Sequence, residues 1–288
     1  MYTGIRQNRF GIYNKYNELF TRKKLYYDVL FLGSSRAEMH FHPKIFDQVT
    51  GLKSYNMGIE GATVRLSWAL LKTYCYNHKK PKFLIFNVDY FSLNNDSNRI
   101  VNFPRYFPYL HNYHLKQELS KIDNRINSFY YNPFHSLPYT QINYLSASLH
   151  GWLGISGKYD TLMYKGFQTN FANEVILDKQ RKPFYSHISA INREYLDSII
   201  SFSNKQSIKL VLVTTPVSVS AKQQILNKKT LSIEMKHFIK SRKMDYFDYT
   251  DSLKFDNPVF FADVNHLNLL GAKHFTESFS KVFNTILD

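Results

Sequence analysis

The chain alternates short, unbroken apolar runs with longer segments whose apolar residues recur every three or four positions. Residues 28–33 (Asp-Val-Leu-Phe-Leu-Gly) form the first such run. An apolar run without polar alternation predicts a strand buried on both faces. It ends in Gly33, Ser34 and Ser35, which predict a tight turn. Residues 43–50 predict a short helix, with Pro43 at its start and Gly51 beyond its end. Residues 53–57 predict a second strand. Residues 63–76 carry helical spacing (Val64, Leu66, Trp68, Leu70, Leu71, Tyr74), and Pro81 bars continuation. Residues 83–88 (Phe-Leu-Ile-Phe-Asn-Val) predict a third buried strand. Strand, helix, strand, helix, strand is the rhythm of a parallel sheet covered by helices on both faces.

The rhythm returns late in the chain. Residues 188–206 predict a helix with Ile191, Tyr195, Ile199 and Phe202 on one stripe. Residues 208–213 (Ile-Lys-Leu-Val-Leu-Val) predict a strand, closed by Thr214, Thr215 and Pro216. One long helix is expected over 220–243, a short strand over 244–247 and a closing helix over 268–287. The expected architecture is a three-layer α/β/α sandwich with a central parallel sheet, one domain over 1–288. Residues 91–187 break the rhythm and are dense in aromatics, Asn and Pro. They predict a long insertion after the third strand, a partly helical lid on the sheet's carboxyl edge. Neither a tandem repeat nor a low-complexity tract is present.

Composition narrows the function classes. Hydrophobic residues are 44% and charged residues 20% of 288, ample for a core. The single cysteine, Cys75, excludes an intramolecular disulfide and a cysteine-cluster metal site, and its helical apolar stripe marks it as a core residue. No apolar run approaches the ~18 residues of a membrane span, and the first twenty residues lack the apolar centre of a signal peptide. Lys and Arg total 37 against 22 Asp and Glu, a net charge of +15. Clusters at Arg22, Lys23 and Lys24 and at Lys79, Lys80 and Lys82 suit an anionic membrane surface or polymer. Nucleic-acid motifs are absent, so no specific nucleic-acid partner is expected.

Chemistry is sought at the carboxyl ends of the strands, where open parallel sheets bind ligands. The segments there are Gly33-Ser34-Ser35-Arg36, Asn56-Met57-Gly58-Ile59-Glu60-Gly61, Asn87-Val88-Asp89 and Asp263-Val264-Asn265-His266, the last just before a helix. Together they supply a hydroxyl, glycine amides and an Asp–His pair, the parts for acyl transfer through a serine. A serine hydroxyl needs an adjacent base, and an imidazole needs a carboxylate to fix its tautomer. Ser35, His266 and Asp263 are the candidate catalytic residues. The amides of Ser35 and Gly61 are candidate oxyanion donors.

These blocks resemble the SGNH (GDSL-type) hydrolase superfamily. Gly33-Ser34-Ser35 stands where the family has Gly-Asp-Ser, Gly61 maps to the second-block oxyanion glycine, and Asp263-x-x-His266 to the last block. The resemblance implies a flavodoxin-like fold, a serine-dependent esterase or O-acyltransferase, and no metal or organic cofactor. The variant with Gly-Ser-Ser-Arg looks most like bacterial envelope members, which implies a cell-envelope setting and an acyl ester or acylated glycan as partner. Two departures stand out. Ser34 replaces the family's Asp, and the third block, which normally supplies an Asn donor, reads Asn87-Val88-Asp89. An ionised Asp89 accepts but cannot donate, and Asn87 sits two positions early. The remaining oxyanion donor is therefore Asn87 or Asp89, or is missing. A missing donor points to the alternative of a catalytically degenerate glycan-binding or envelope-assembly protein.

Other polar residues read more simply. Arg36 is a candidate substrate-binding residue for an anionic group, or a cap on local carbonyls. His40-Phe41-His42 lacks a third ligand at metal spacing and is expected in a partner-free loop. His111, His114, His135 and His150 are expected at the surface or on the lid.

Overall fold

The protein is described from a computed structural model covering residues 1–9, 11–21, 24–94, 97–139, 142–155, 163–169 and 182–287. Arg22 and Lys23 of the first basic cluster, and parts of the 91–187 segment, lie outside the described residues.

The strands are β1 (Val29–Leu32), β2 (Ser54–Asn56), β3 (Phe83–Asn87), β4 (Met163–Tyr164), β5 (Phe167–Gln168), β6 (Lys209–Thr214) and β7 (Asp245–Asp248). Five of them form one parallel sheet in the order β2-β1-β3-β6-β7. Counted within the sheet this is the 2-1-3-4-5 order of flavodoxin-like folds, whose switch point lies between β1 and β3. β4 and β5 make a separate hairpin. Its turn covers the free edge of β2, where the Asn56 amide donates to the Lys165 carbonyl at 2.9 Å.

Alternate side chains of each strand feed opposite cores. Leu30, Leu32, Leu84, Phe86, Leu210 and Leu212 face one way, into the layer containing the Val64–Asn77, Ala190–Lys205 and Lys228–Lys240 helices. Val29, Phe31, Ile85, Val211 and Val213 face the other. There they meet Phe41 and Phe46, beside and within the short helices Ser35–His40 and Pro43–Thr50, and Phe275, Phe279 and Phe283 of the closing helix Leu269–Asn284. Strands covered on both sides must be apolar throughout, which is why their sequences show no alternation. Aromatic residues after β3 share the first of these cores. Phe103, Tyr106, Phe107 and Tyr109 pack with Tyr16, Leu19 and Phe20 of the Gly11–Phe20 helix and with Leu66 and Leu70.

Three expectations change. The turn after β1 passes at once into a short helix, Ser35–His40, with Ser34 as N-cap accepting the Arg36 amide. The helix expected over 220–243 is two helices, Val219–Gln224 and Lys228–Lys240. Residues between them bridge to Phe184: the Phe184 amide donates to the Gln224 carbonyl at 2.8 Å, and the Leu226 amide to the Phe184 carbonyl at 3.0 Å. Those long-range bonds outweigh continued helix, and no Pro or Gly marks the break. Finally, Asp263–His266 does not follow a strand end directly. β7 stops at Asp248, and the block sits in a later loop pinched by the Phe261–Leu267 bridge.

Candidate active site

Ser35 is the first residue of its helix, set there by a glycine. Gly33 has φ +142°, and a Cβ there would lie 2.9 Å from the Asn87 carbonyl oxygen. Only glycine lets the β1 exit run this close to β3 while turning. The helix start leaves the Ser35 amide without an intrahelical acceptor.

From the other end of the chain, the loop before the closing helix delivers His266. Its Nε2 lies 2.8 Å from Ser35 Oγ. Its Nδ1 lies 2.8 Å from Asp263 Oδ2 and 3.0 Å from Oδ1. A carboxylate can only accept, so Nδ1 carries the proton and Nε2 accepts from the serine hydroxyl. The loop geometry fixes the carboxylate as well: Asp263 Oδ1 accepts the amides of Asn265 (2.7 Å) and His266 (3.0 Å). Partial burial opposes ionisation of Asp263, but the bonds from the His266 ring and these amides together hold its pKa below the ordinary 3.8. Thus Ser35, His266 and Asp263, separated by more than 220 residues, form one hydrogen-bonded chain.

A cavity of about 620 Å³ opens beside this chain, with Ser34, Ser35, Gly61 and His266 on its wall. Gly61 has φ +71° and is backed by Val101, into which a Cβ would run at 2.6 Å. Among the described residues, neither the Ser35 nor the Gly61 amide has a protein acceptor.

The third block is not a donor in this arrangement. Asp89 Oδ2 accepts Ser34 Oγ at 2.5 Å and Asn87 Nδ2 at 3.2 Å. Its Oδ1 accepts the Ser92 amide at 2.8 Å, and the Asp89 amide donates back to Ser92 Oγ at 3.2 Å. That is a reciprocal N-terminal cap on the helix Tyr90–Asn94. Asn87 Oδ1 in turn accepts the Thr215 amide at 3.3 Å. Asn87 therefore gives one of its two amide hydrogens to Asp89 and lies buried behind it. Asp89 lines the cavity, but its carboxylate only accepts. Asn94, which the sequence reading passed over, lines the cavity as well.

Arg36 also lines the cavity, yet its side chain is committed inward. Nη2 donates to the carbonyls of Thr215 (2.6 Å) and Pro216 (3.0 Å), tying the β1 exit to the β6 exit. Of the two readings, the observed contacts are those of the carbonyl cap. His40 is corrected more sharply. Far from sitting in a partner-free loop, it ends the Ser35–His40 helix fully buried. Its Nε2 accepts the Leu267 amide at 3.0 Å and its Nδ1 faces Thr215 Oγ1 at 2.9 Å. Burial first, then the neighbouring Arg36 and His266, push its pKa well below 6.5. Among the described residues no group of three or more His, Cys, Asp or Glu is arranged to hold a metal. None of their helices is long and apolar enough to cross a membrane.

Lys15 is a second residue that sequence pattern does not flag. It is buried, and its Nζ donates to Glu38 Oε1 (2.9 Å), the Gly166 carbonyl (2.7 Å) and the Gly58 carbonyl. One ammonium thereby joins the Gly11–Phe20 helix, the Ser35–His40 helix, the β2 exit and the β4–β5 hairpin.

Comparison with known proteins gives fold-level likeness only. No family profile matches the chain, and no curated protein sequence matches it. Among solved structures, an acylhydrolase candidate from Bacteroides fragilis aligns at 14% identity and TM-score 0.48, covering 96% of this chain and 95% of its own. A candidate lipolytic protein of the G-D-S-L family from Desulfitobacterium hafniense aligns at 11% identity and TM-score 0.45, covering 88% and 98%. A GDSL-like lipase from Bacteroides thetaiotaomicron aligns at 12% identity and TM-score 0.43, covering 90% and 88%. At these levels the likenesses decide nothing about activity, and the functional reading rests on the side chains.

Proposed function

We propose that this protein is a serine-dependent acyl-ester hydrolase or O-acyltransferase of the SGNH type, acting on an acylated glycan or similar polymer of the cell envelope. The observation that carries the reading is the 2.8 Å contact between Ser35 Oγ and His266 Nε2, with Asp263 on the opposite ring nitrogen.

In this mechanism Ser35 Oγ attacks the ester carbonyl carbon while its proton passes to His266 Nε2. The carbonyl π pair moves onto oxygen, and the Ser35 and Gly61 amides stabilise that oxyanion. Asp263 holds the Nδ1–H tautomer and stabilises the imidazolium. Collapse of the tetrahedral adduct breaks the bond to the alcohol oxygen, which takes the proton from Nε2. An acyl-Ser35 remains. Water or a sugar hydroxyl then gives its proton to Nε2 and attacks, and collapse releases Ser35 with its proton restored. No cofactor enters this scheme. Asn94, on the same cavity wall, is the candidate third donor, and the loss of one oxyanion donor costs ~10²–10³ in turnover.

The test is turnover of p-nitrophenyl acetate together with labelling by a fluorophosphonate. Wild type should turn over and label, and Ser35→Ala should do neither. Equal turnover by the variant overturns the reading. The second reading, a degenerate glycan-binding or envelope-assembly protein, is favoured by one observation: the third block sets a carboxylate, Asp89, on the cavity wall, where it accepts but cannot donate. Glycan binding by a wild type whose Ser35 resists the fluorophosphonate would select it.

A further inference from the structure

The Ser35–His266 pair stands between two cavities, and both residues line both of them. An ester has two sides, so such a pair can sort them. The larger cavity, about 620 Å³, contains Gly61, and Phe184, Val217, Ala221 and Ile225 give it an apolar patch interrupted by Gln224. The smaller, about 380 Å³, has a different character. Ile12 and Met39 give it some apolar surface, but Glu60, Arg105 and Gln168 supply its functional groups.

We propose that the smaller cavity is the alcohol subsite and takes a neutral polyhydroxy unit, a sugar or glycerol-like group, while the acyl group lies in the larger. This assignment rests on Ser35 and His266 being the reacting pair. Three features carry it. First, Gly61, a proposed oxyanion donor, lines the larger cavity and not the smaller, which favours the carbonyl on that side and leaves the other face of His266 to the alcohol oxygen. Second, the smaller cavity holds no surplus positive charge; Asp263, also on its wall, adds a carboxylate bonded to the His266 ring. Glu60 Oε2 accepts from Asn102 Nδ2 at 2.9 Å and Arg105 Nη1 at 3.2 Å, and Glu38 is paired with buried Lys15 at 2.9 Å. Its one guanidinium therefore already faces a carboxylate, leaving no surplus positive charge for an anionic alcohol. Third, unspent hydrogen-bonding groups remain. Among the described residues, Glu60 Oε1 and the Gln168 amide have no protein partner. An acceptor, a guanidinium and an amide suit vicinal hydroxyls, each of which both donates and accepts. Glu60 and Arg105 are open to solvent, with side-chain exposures of 54% and 28%, so a plain alkyl alcohol would displace their water without replacing its hydrogen bonds.

The elements involved separate this subsite from the reacting pair. Arg105 comes from the segment Phe103–Tyr109, Ile12 from the Gly11–Phe20 helix and Gln168 from β5, none of them in the main sheet. Alcohol preference is thereby set by additions to the sandwich, while the chemistry stays at its strand ends.

The experiment compares kcat/KM for a monoacetylated hexose with that for p-nitrophenyl acetate, in wild type, Glu60→Gln and Gln168→Ala. The ratio should favour the hexose ester in wild type and fall at least ten-fold in each variant. In parallel, Ala221→Leu should shift preference from longer toward shorter acyl p-nitrophenyl esters and leave the hexose ratio within two-fold. Unchanged ratios in both subsite variants, with Ser35-dependent turnover intact, overturn the subsite assignment alone. A wild-type preference for acetylcholine or an acetylated sugar phosphate over the neutral hexose ester also overturns it. Absence of Ser35-dependent turnover on every ester instead sinks the parent reading, and this one with it.

Discussion

His40 Nε2 accepts the backbone amide of Leu267 at 3.0 Å, so a residue five positions after the candidate nucleophile holds the residue directly after the candidate base. The Ser35–His40 helix and the loop before the closing helix are thereby fastened together. Thr215 Oγ1 fixes the other ring nitrogen at 2.9 Å, and the His40 and His266 rings meet edge to face at 6.4 Å. On the proposed mechanism His40 is a positioning residue: it holds the Leu267 amide and Thr215 rather than the Ser35 hydroxyl.

Replacing His40 with Phe keeps a buried ring but strands the Leu267 amide. A buried donor left unpaired costs ~1–3 kcal/mol. Esterase kcat should fall about ten-fold or more with little change in KM, because the loss falls on the placement of His266. His40→Gln, which can still accept the amide, should recover part of kcat. A purely structural role would instead show as lowered thermal stability with full kcat per folded molecule.

Asp263→Asn tests the carboxylate on the opposite side. The amide oxygen can keep accepting the Asn265 and His266 amides, so the turn survives. The ring then loses its fixed tautomer, and kcat at neutral pH should drop by ~10⁴, as for a triad carboxylate. Steady-state kinetics with circular dichroism as a folding control would check this. Activity within three-fold of wild type would remove Asp263 from the mechanism.

Much of this arrangement is readable from residues alone, for physical reasons. β1, β3 and β6 are covered on both faces, so they must be apolar throughout, and such runs stand out. Ser35, Gly61 and His266 sit in short blocks whose chemistry needs those residue types. What escapes is set by contacts distant in sequence. The split of the 220–243 helix depends on Phe184 bridging to Gln224 and Leu226, which no local pattern encodes. His40 looks like a polar loop residue because its partners, Thr215 and Leu267, come from β6's exit and from the closing loop. Asp89 looks like a misplaced oxyanion residue until Ser92 is found capped by it.

Lys15 predicts a stability effect. Its ammonium and the Glu38 carboxylate are both buried, with side-chain exposures of 1% and 5%. Lys15→Met leaves that carboxylate and two carbonyls without their donor, and breaking a buried pair from one side costs ~3–5 kcal/mol. The double change Lys15→Met with Glu38→Gln should recover much of this. Urea unfolding of the three proteins would measure both; an undisturbed single variant would contradict the reading.

Acid should destabilise the fold before the carboxylates titrate. Burial first, then Lys273, lowers the His42 pKa from 6.5 to about 4, and its ring stacks on Phe167 at 4.4 Å. His40 is shifted in the same direction. Between the two values the unfolded chain binds protons that the folded chain does not, so stability falls as pH drops. It should be steady above about 6.5 and decline down to about 4. His42→Phe should flatten part of that slope in urea titrations at pH 7, 6 and 5. A slope unchanged by the variant would exclude His42 as its source.

The third oxyanion donor gives the last prediction. Asp89 is held by Ser34, Asn87 and the Ser92 amide, so Asp89→Asn would point its new amide into an existing network of donors. It would set an amide against the Asn87 amide and weaken the cap, costing ~1–2 kcal/mol of stability. It should therefore lower stability without raising kcat. Asn94 differs: it lines the cavity beside Ser35 and Gly61, and it stands at the end of the helix that Asp89 caps. Asn94→Ala should lower kcat by ~10²–10³, the usual loss for one oxyanion donor. Opposite results, a gain of ten-fold or more in Asp89→Asn and no loss in Asn94→Ala, would mean that Asn94 is no donor and that the Asp89 carboxylate, on the same cavity wall, opposes the oxyanion by its charge.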